Sequence, residues 1–163
     1  MADKIDVNKV LNDPDVAKLP DFIKTHLRTY LESGGKEGHH WPSGIKAGEG
    51  PTTIPTLLLT AKGGKSGKKR ILPLLYGKIG DDFILVASLG GAPNHPKWYL
   101  NLMANPEAEI QVATEHYRVR ARNAEGEERE KIWSHMLTLF PVYADYQKKT
   151  TRQIPVVVLE KQA

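Results

Sequence analysis

The feature that most limits how this chain can fold is a series of short apolar runs with no room for a helix between them. PTLLLTA (55–61) ends at the turn GGKSG, RILPLLYGKI (70–79) ends at Gly80-Asp81-Asp82, and FILVAS (83–88) follows at once. A parallel crossover needs a dozen or more connecting residues, so consecutive strands this close pair antiparallel. Three antiparallel strands are the simplest outcome. Further on, AEIQVAT (108–114) and HYRVRAR (116–122) alternate well enough to predict a hairpin turning near Glu115, and IPVVVLE (154–160) closes the chain as a buried strand.

Helices fall between and before these strands. Residues 20–33 place Phe22, Ile23, Leu27, Tyr30 and Leu31 on one helical face and stop at Gly34-Gly35. PKWYLNLMAN (96–105) starts on a proline and halts at Asn105-Pro106, and GEEREKIWSHMLTLF (126–140) carries acids in its first turn. Pro141 interrupts that helix, and VYADYQKKT resumes it. The order β-β-β-α-β-β-α-β lacks the alternation of a doubly wound parallel sheet, which predicts a mainly β (α+β) fold: an antiparallel barrel with peripheral helices. At 163 residues the chain suits a single domain, 1–163, with 1–19 and the Gly/Pro-rich stretch 34–55 as a flexible arm and loop.

Several function classes are excluded. Without cysteine there is no disulfide, thiolate nucleophile or thiolate metal site, which fits a reducing cytoplasm. No run approaches the roughly 18 to 20 apolar residues of a bilayer span. The six histidines show no HxxxH or HExxH pattern, no serine sits in GxSxG, and the neighbours His39 and His40, with Trp41, read as surface; no metal is expected. GGKSGKKR (63–70) resembles the end of a phosphate loop, but Leu59 stands where the motif needs glycine and a strand follows instead of a helix.

The charge is informative by its placement. Lys62, Lys65, Lys68, Lys69 and Arg70 put five cations into nine residues, and the remainder of this +4 chain sums to −1. Such a local patch suits an anionic ligand or a solvated turn, and it is too small for a nucleic-acid footprint. A second stretch, ASLGGAPNHPKWYLNLMANP (87–106), leaves an apolar run through two glycines. Two missing side chains allow another piece of the chain, or a ligand, to approach the backbone. Phe140, Tyr143 and Tyr146, spaced by three, share a helix face that reads as core more readily than as pocket wall, although a buried phenol needs a partner. With so few ionisable groups in place, a cofactor is the simplest source of a reactive atom.

Taken together, GGKSGKKRILPLLY, ASLGGAPNHPKWYLNLMANP, FPVYADYQKKTTRQIPVVVLE and the hairpin between them resemble the deazaflavin-dependent nitroreductase family of actinobacteria over about residues 53–160. The resemblance implies a split antiparallel β-barrel related to flavin-reductase and pyridoxamine-phosphate-oxidase barrels. It also implies reduced 8-hydroxy-5-deazaflavin, coenzyme F-420, as hydride donor. On this basis Lys65, Ser66, Gly67 and Arg70 would hold the coenzyme's phosphate and acidic tail, Pro73 and Leu75 would lie beside the ring, and Ala87, Ser88, Gly90 and Gly91 would run past it. Trp98 and Asn101 would buttress that segment. Three departures from the nitroreductase pattern, Leu89 for lysine, Phe140 for tyrosine and Leu75 for an aromatic residue, bear on the acceptor more than on the coenzyme.

The resulting expectation is an oxidoreductase that passes hydride to a small planar electrophile such as a quinone, an enone or a nitroaromatic. Tyr143 or Tyr146 would donate to the acceptor while Ser88 holds the ring. An FMN-binding barrel and a non-catalytic deazaflavin carrier stay open beside it. By analogy alone, residues 1–19 and 34–55 are candidates for peripheral contact with a membrane, where apolar quinones reside; the oligomeric state is left open.

Overall fold

Eight strands, all paired antiparallel, make up the sheet of this protein in a computed structural model that describes residues 6–42, 46–49, 52–63 and 68–162. They are β1 (His40–Pro42), β2 (Thr53–Lys62), β3 (Lys69–Leu75), β4 (Gly77–Ile79), β5 (Asp82–Val86), β6 (Glu107–Val112), β7 (Glu115–Asn123) and β8 (Val156–Lys161). The spatial order is β1-β2-β6-β7-β8-β5-β4, with β3 on β2.

This order closes the sheet through one bent run. β3 pairs with β2 and β4 pairs with β5, yet Tyr76 alone separates β3 from β4. Residues 70–79 were expected to be one strand; instead the run leaves one end of the sheet and joins the other. Gly77, at the start of β4, leaves room for the Met136 sulfur, which a Cβ there would meet. The hairpin turn also differs by a residue or two. It is Ala113-Thr114, with Ala113 at φ +54, and Glu115 already begins β7.

Both faces of the sheet are covered, which is why its strands read as continuous apolar runs. Leu57, Leu59, Phe83, Leu85, Val157 and Leu159 fill the interior with Tyr76, Ala87 and Tyr99. Their neighbours Ile84, Val86, Val156 and Val158 face outward against α5 (Gly126–Leu139) and α6 (Val142–Lys148), whose Ile132, Met136 and Tyr143 complete a second cluster. Leu58 points outward to α3 (Asp21–Glu32), packing with Leu27, Tyr30 and Leu31. Burying these two layers of side chains is the main stabilising term, at about 25 cal/mol per Å² removed from water.

One phenol fastens α3 to the barrel. The Tyr30 hydroxyl lies 3.0 Å from the Thr56 carbonyl and 3.2 Å from that of Gln111, and accepts from the Ala113 N–H at 2.6 Å. Burial pushes this phenol up to about 12.

Segments expected to be an arm and a loop carry more structure than that. α1 (Val7–Leu11) and α2 (Pro14–Ala17) pack Val7, Val10, Leu11 and Val16 beside α3. β1 pairs with the first residues of β2. His39, expected on the surface, is half-buried with Nε2 2.7 Å from the Tyr76 hydroxyl, and Trp41 stacks on His26 at 3.8 Å; His40 is exposed. No element here exceeds five residues, too short for a periodic signal. No described helix is long and apolar enough to cross a membrane.

Candidate functional site

The chain leaves β5 at Val86, turns Ala87 into the barrel interior, and makes a single 3-10 turn at Leu89–Gly91 before α4 (Lys97–Ala104). Ser88 is right-handed helical at φ −77°, ψ −38°, and the next three residues have positive φ: Leu89 +45°, Gly90 +63° and Gly91 +84°. A right-handed residue followed by left-handed ones gathers successive N–H groups into a concavity that binds anionic or carbonyl oxygen. The carbonyls of Ser88 and Leu89 accept from Gly91 N and Ala92 N at 2.9 and 3.1 Å. Among the described residues, no acceptor meets the N–H groups of Ser88, Leu89 and Gly90. The donor capacity of these three amides is therefore left over for a ligand.

The two glycines turn out to serve different visitors. A Cβ on Gly91 would sit 2.6 Å from the Tyr146 carbonyl oxygen and 3.0 Å from Lys149 Cβ, so α6 is what approaches there. A Cβ on Gly90 would meet nothing within 4 Å. Open space lies over that residue, beside those amides.

Arg152, from the connection between α6 and β8, underpins the segment. Its guanidinium donates to the carbonyls of Ala87 (3.1 Å), Ser88 (2.7 Å) and Ala92 (2.9 Å), and to His95 Nδ1 (3.0 Å). Burial and the neighbouring guanidinium hold the His95 imidazole below its ordinary range. His95 packs against Tyr99 at 4.9 Å, and the Tyr99 hydroxyl is bonded to the Asn123 side chain. Neither Arg152 nor His95 stood out in the sequence, because the partners of Arg152 lie 57 to 65 residues upstream. Only the embedding of one arginine between TT and QIP, ahead of an apolar strand, hints at it.

The aromatic stripe divides. Tyr143 is 3 % exposed within the outer cluster, edge-on to Phe140 at 4.9 Å, and burial holds its phenol well above the usual tyrosine range. Tyr146 is half-buried, its backbone abuts Gly91, and Lys149 Nζ lies 5.6 Å over its ring. The structure therefore brings Ala87, Ser88, Gly90 and Gly91 together with Tyr146, and sets Tyr143 behind them as packing.

The remaining expected residues lie on other elements. Trp98, half-buried on α4, packs against the barrel interior, and Asn101 follows one turn later. Pro73 and Leu75 are half-buried on β3, opposite Leu58 and Thr56. Lys65, Ser66 and Gly67 lie outside the described residues. Of the cations flanking them, Arg70 folds its guanidinium 3.2 Å from where a Gly63 Cβ would be, and Lys68 forms an ion pair with Asp13. A cavity of about 550 Å³ lies near this turn, lined by Lys62, Lys69, Arg118 and Arg120 together with Glu107 and Glu109. Its lining is mostly polar or charged side chains, unlike the bare backbone at Gly90.

The sequence pattern of a family described as F420H(2)-dependent quinone reductase matches residues 22–161. The F420H(2)-dependent quinone reductase Rv1261c of Mycobacterium tuberculosis H37Rv is 34% identical over 143 residues, spanning 86% of this chain and 90% of that protein. A solved F420-H2 dependent reductase, FDR-A, is 45% identical with a TM-score of 0.61, covering 65% of this chain and 94% of its own. A second structure, described as a domain-swapped dimer, is 38% identical with a TM-score of 0.64, over 86% and 98%. A heme-binding protein from Mycobacterium smegmatis, 20% identical with a TM-score of 0.51, covers 66% of this chain and 46% of its own and shares the fold alone.

Proposed function

Because this chain belongs to the F420H(2)-dependent quinone reductase family, an oxidoreductase family, we propose that its Ala87–Gly91 segment is where reduced coenzyme F-420 is held for hydride transfer to a quinone. The observation that carries the placement is the run of three amides without an acceptor among the described residues, at Ser88, Leu89 and Gly90, with open space at Gly90. These donors suit the carbonyl edge of a flat heterocycle, and a residue without a side chain at position 90 lets that heterocycle lie close.

When bound, the reduced deazaflavin supplies a hydride, and the quinone takes it up with a proton to become a quinol. The protein's part is to bind, orient and exclude water. Ser88, Leu89 and Gly90 direct their amides at the ring, with Pro73, Leu75 and Ala87 as its neighbours and Trp98 and Asn101 supporting the segment from α4. Lys65, Ser66, Gly67 and Arg70 take the phosphate. The cavity bearing Lys62, Lys69, Arg118 and Arg120 offers the acidic tail a charged lining. Tyr146, next to the glycine turn, donates to the acceptor oxygen as negative charge develops there. Tyr143 holds Tyr146 in place from behind, with the two rings 6.3 Å apart.

Residues 1–19 and 34–55 are the ones we assign to peripheral contact with a membrane, a role that liposome co-sedimentation would test. Titration of the purified protein with coenzyme F-420 and, separately, with FMN tests the coenzyme; turnover against menadione and a nitroaromatic tests the acceptor. Saturable binding of the deazaflavin with reduction of menadione is expected. Binding of FMN alone would replace this reading.

A further inference from the structure

We infer that Arg152 is the positioning residue of this site: its guanidinium sets which way the peptide groups of the coenzyme-holding segment point. The inference rests on the reading that this segment holds the coenzyme. The guanidinium bonds both ends of one short turn, taking the carbonyls of Ala87 and Ser88 on one side and that of Ala92 on the other. In a trans peptide the carbonyl and the following N–H point in opposite directions. Drawing the Ala87 and Ser88 carbonyls to Arg152 therefore turns the Ser88 and Leu89 amides away from it. Those are two of the three amides that meet no acceptor among the described residues.

The backbone needs such an anchor. Leu89 is a non-glycine residue at φ +45°, a conformation that persists only where its surroundings fix it. β5 supplies no pairing beyond Val86, apart from the Ala87 N–H bonded to Pro155 O at 3.0 Å. Pro155 and Arg152 are close in sequence, so one connection holds the segment by its first amide and by three of its carbonyls. A planar fork with five donors can reach several carbonyls at once, whereas a lysine ammonium cannot match that geometry. The fourth contact, to His95 Nδ1, requires that nitrogen to be unprotonated and orients the ring against Tyr99. Arg152 has no role in the chemistry itself; it acts through the main chain it holds.

The experiment compares wild type with Arg152→Lys, Arg152→Gln and His95→Ala. The last removes only one of the four Arg152 contacts, along with the ring packing on Tyr99, and serves as the mild variant should the others fold poorly. Amide exchange is followed in coenzyme-free protein at Ala87, Gly91 and Ala92, the bonded amides of the segment, and in β2 and β6 as controls. Affinity for coenzyme F-420 and the KM for menadione are measured in parallel. Expected are faster exchange at the three segment amides with unchanged controls, and a Kd for the coenzyme ~10-fold or more weaker in both Arg152 variants. His95→Ala should give a smaller change of the same kind, and the menadione KM should stay within about 2-fold, since the lost interaction belongs to the coenzyme side. Wild-type exchange and affinity in the Arg152 variants would overturn the inference. So would faster exchange spread evenly through β2 and β6, which makes Arg152 a general fold tie. Failure of the wild type to bind the coenzyme sinks the coenzyme reading instead, and the exchange data then judge the clamp alone.

Discussion

Replacing Gly90 and Gly91 by alanine, one at a time, separates two demands that one glycine pair meets. Both residues have positive φ, so each alanine incurs a left-handed backbone cost of ~1–2 kcal/mol, and each gains the same small stabilisation from a stiffer unfolded chain. Those contributions cancel between the variants. What differs is space: a Cβ at 91 lies 2.6 Å from a backbone oxygen and 3.1 Å from Tyr146 Cα, neither of which can rotate away, whereas a Cβ at 90 touches nothing. Overpacking of that kind adds ~1–3 kcal/mol. At ~2–4 °C per kcal/mol for a chain of this size, Gly91→Ala should melt ~2–12 °C below Gly90→Ala in thermal denaturation followed by circular dichroism. Coenzyme titration should show the reverse ranking among folded protein, because only the Cβ at 90 enters the open space beside the amides that have no acceptor among the described residues. Equal melting temperatures would refute the packing of α6 on the turn. Wild-type affinity in Gly90→Ala would refute the ligand's approach there.

Three further outcomes follow from the same structure. Tyr30→Phe leaves the half-buried Ala113 N–H without its 2.6 Å partner, and should lower stability by ~1 kcal/mol in denaturant titrations; an unchanged midpoint would remove this phenol from the ties that hold α3. Burial holds the imidazoles of His26, His39 and His95 below their ordinary range, so near and below pH 6.5 the folded state binds fewer protons than the unfolded chain. Their contribution is complete above that pH and is lost as pH falls. The melting temperature should therefore drop between pH 7 and 5, and less steeply in His26→Gln; parallel slopes would contradict the assignment. Tyr146→Phe should lower kcat for quinone reduction with little change in coenzyme affinity, while Tyr143→Phe should leave kcat within about 2-fold; the opposite ranking would move the donor role back to Tyr143.

The succession of strands along the chain and their antiparallel pairing were legible because they depend on local quantities, apolar runs and the number of residues between them; the spatial order, with β2 on β6 and β5 on β8, was not. The helices at 21–32, 97–104, 126–139 and 142–148 carried periodicity and turn signals that hold in any context. The bend at Tyr76 was not legible, since nothing in RILPLLYGKI records that its first half pairs with β2 and its second with β5. α1, α2 and β1 are too short to repeat a pattern. In the site, the open backbone at Gly90 could be read from missing side chains, but the different task of Gly91 depends on a carbonyl of α6 that arrives by tertiary packing. Spacing placed Tyr143 and Tyr146 on one face without saying which of them the strands β5 and β8 would bury. Arg152 was invisible for the most general reason: all four of its acceptors belong to a segment brought to it by the fold.

The central claim is that this segment delivers hydride from reduced coenzyme F-420 to a quinone rather than merely storing the coenzyme. Stopped-flow mixing of the protein loaded with reduced coenzyme against menadione tests it most directly. Rapid oxidation of the bound coenzyme, with one quinol formed per coenzyme and a rate that far exceeds that of free coenzyme, is the predicted result. Tight binding accompanied by oxidation no faster than in the absence of protein would contradict the claim and make the chain a carrier.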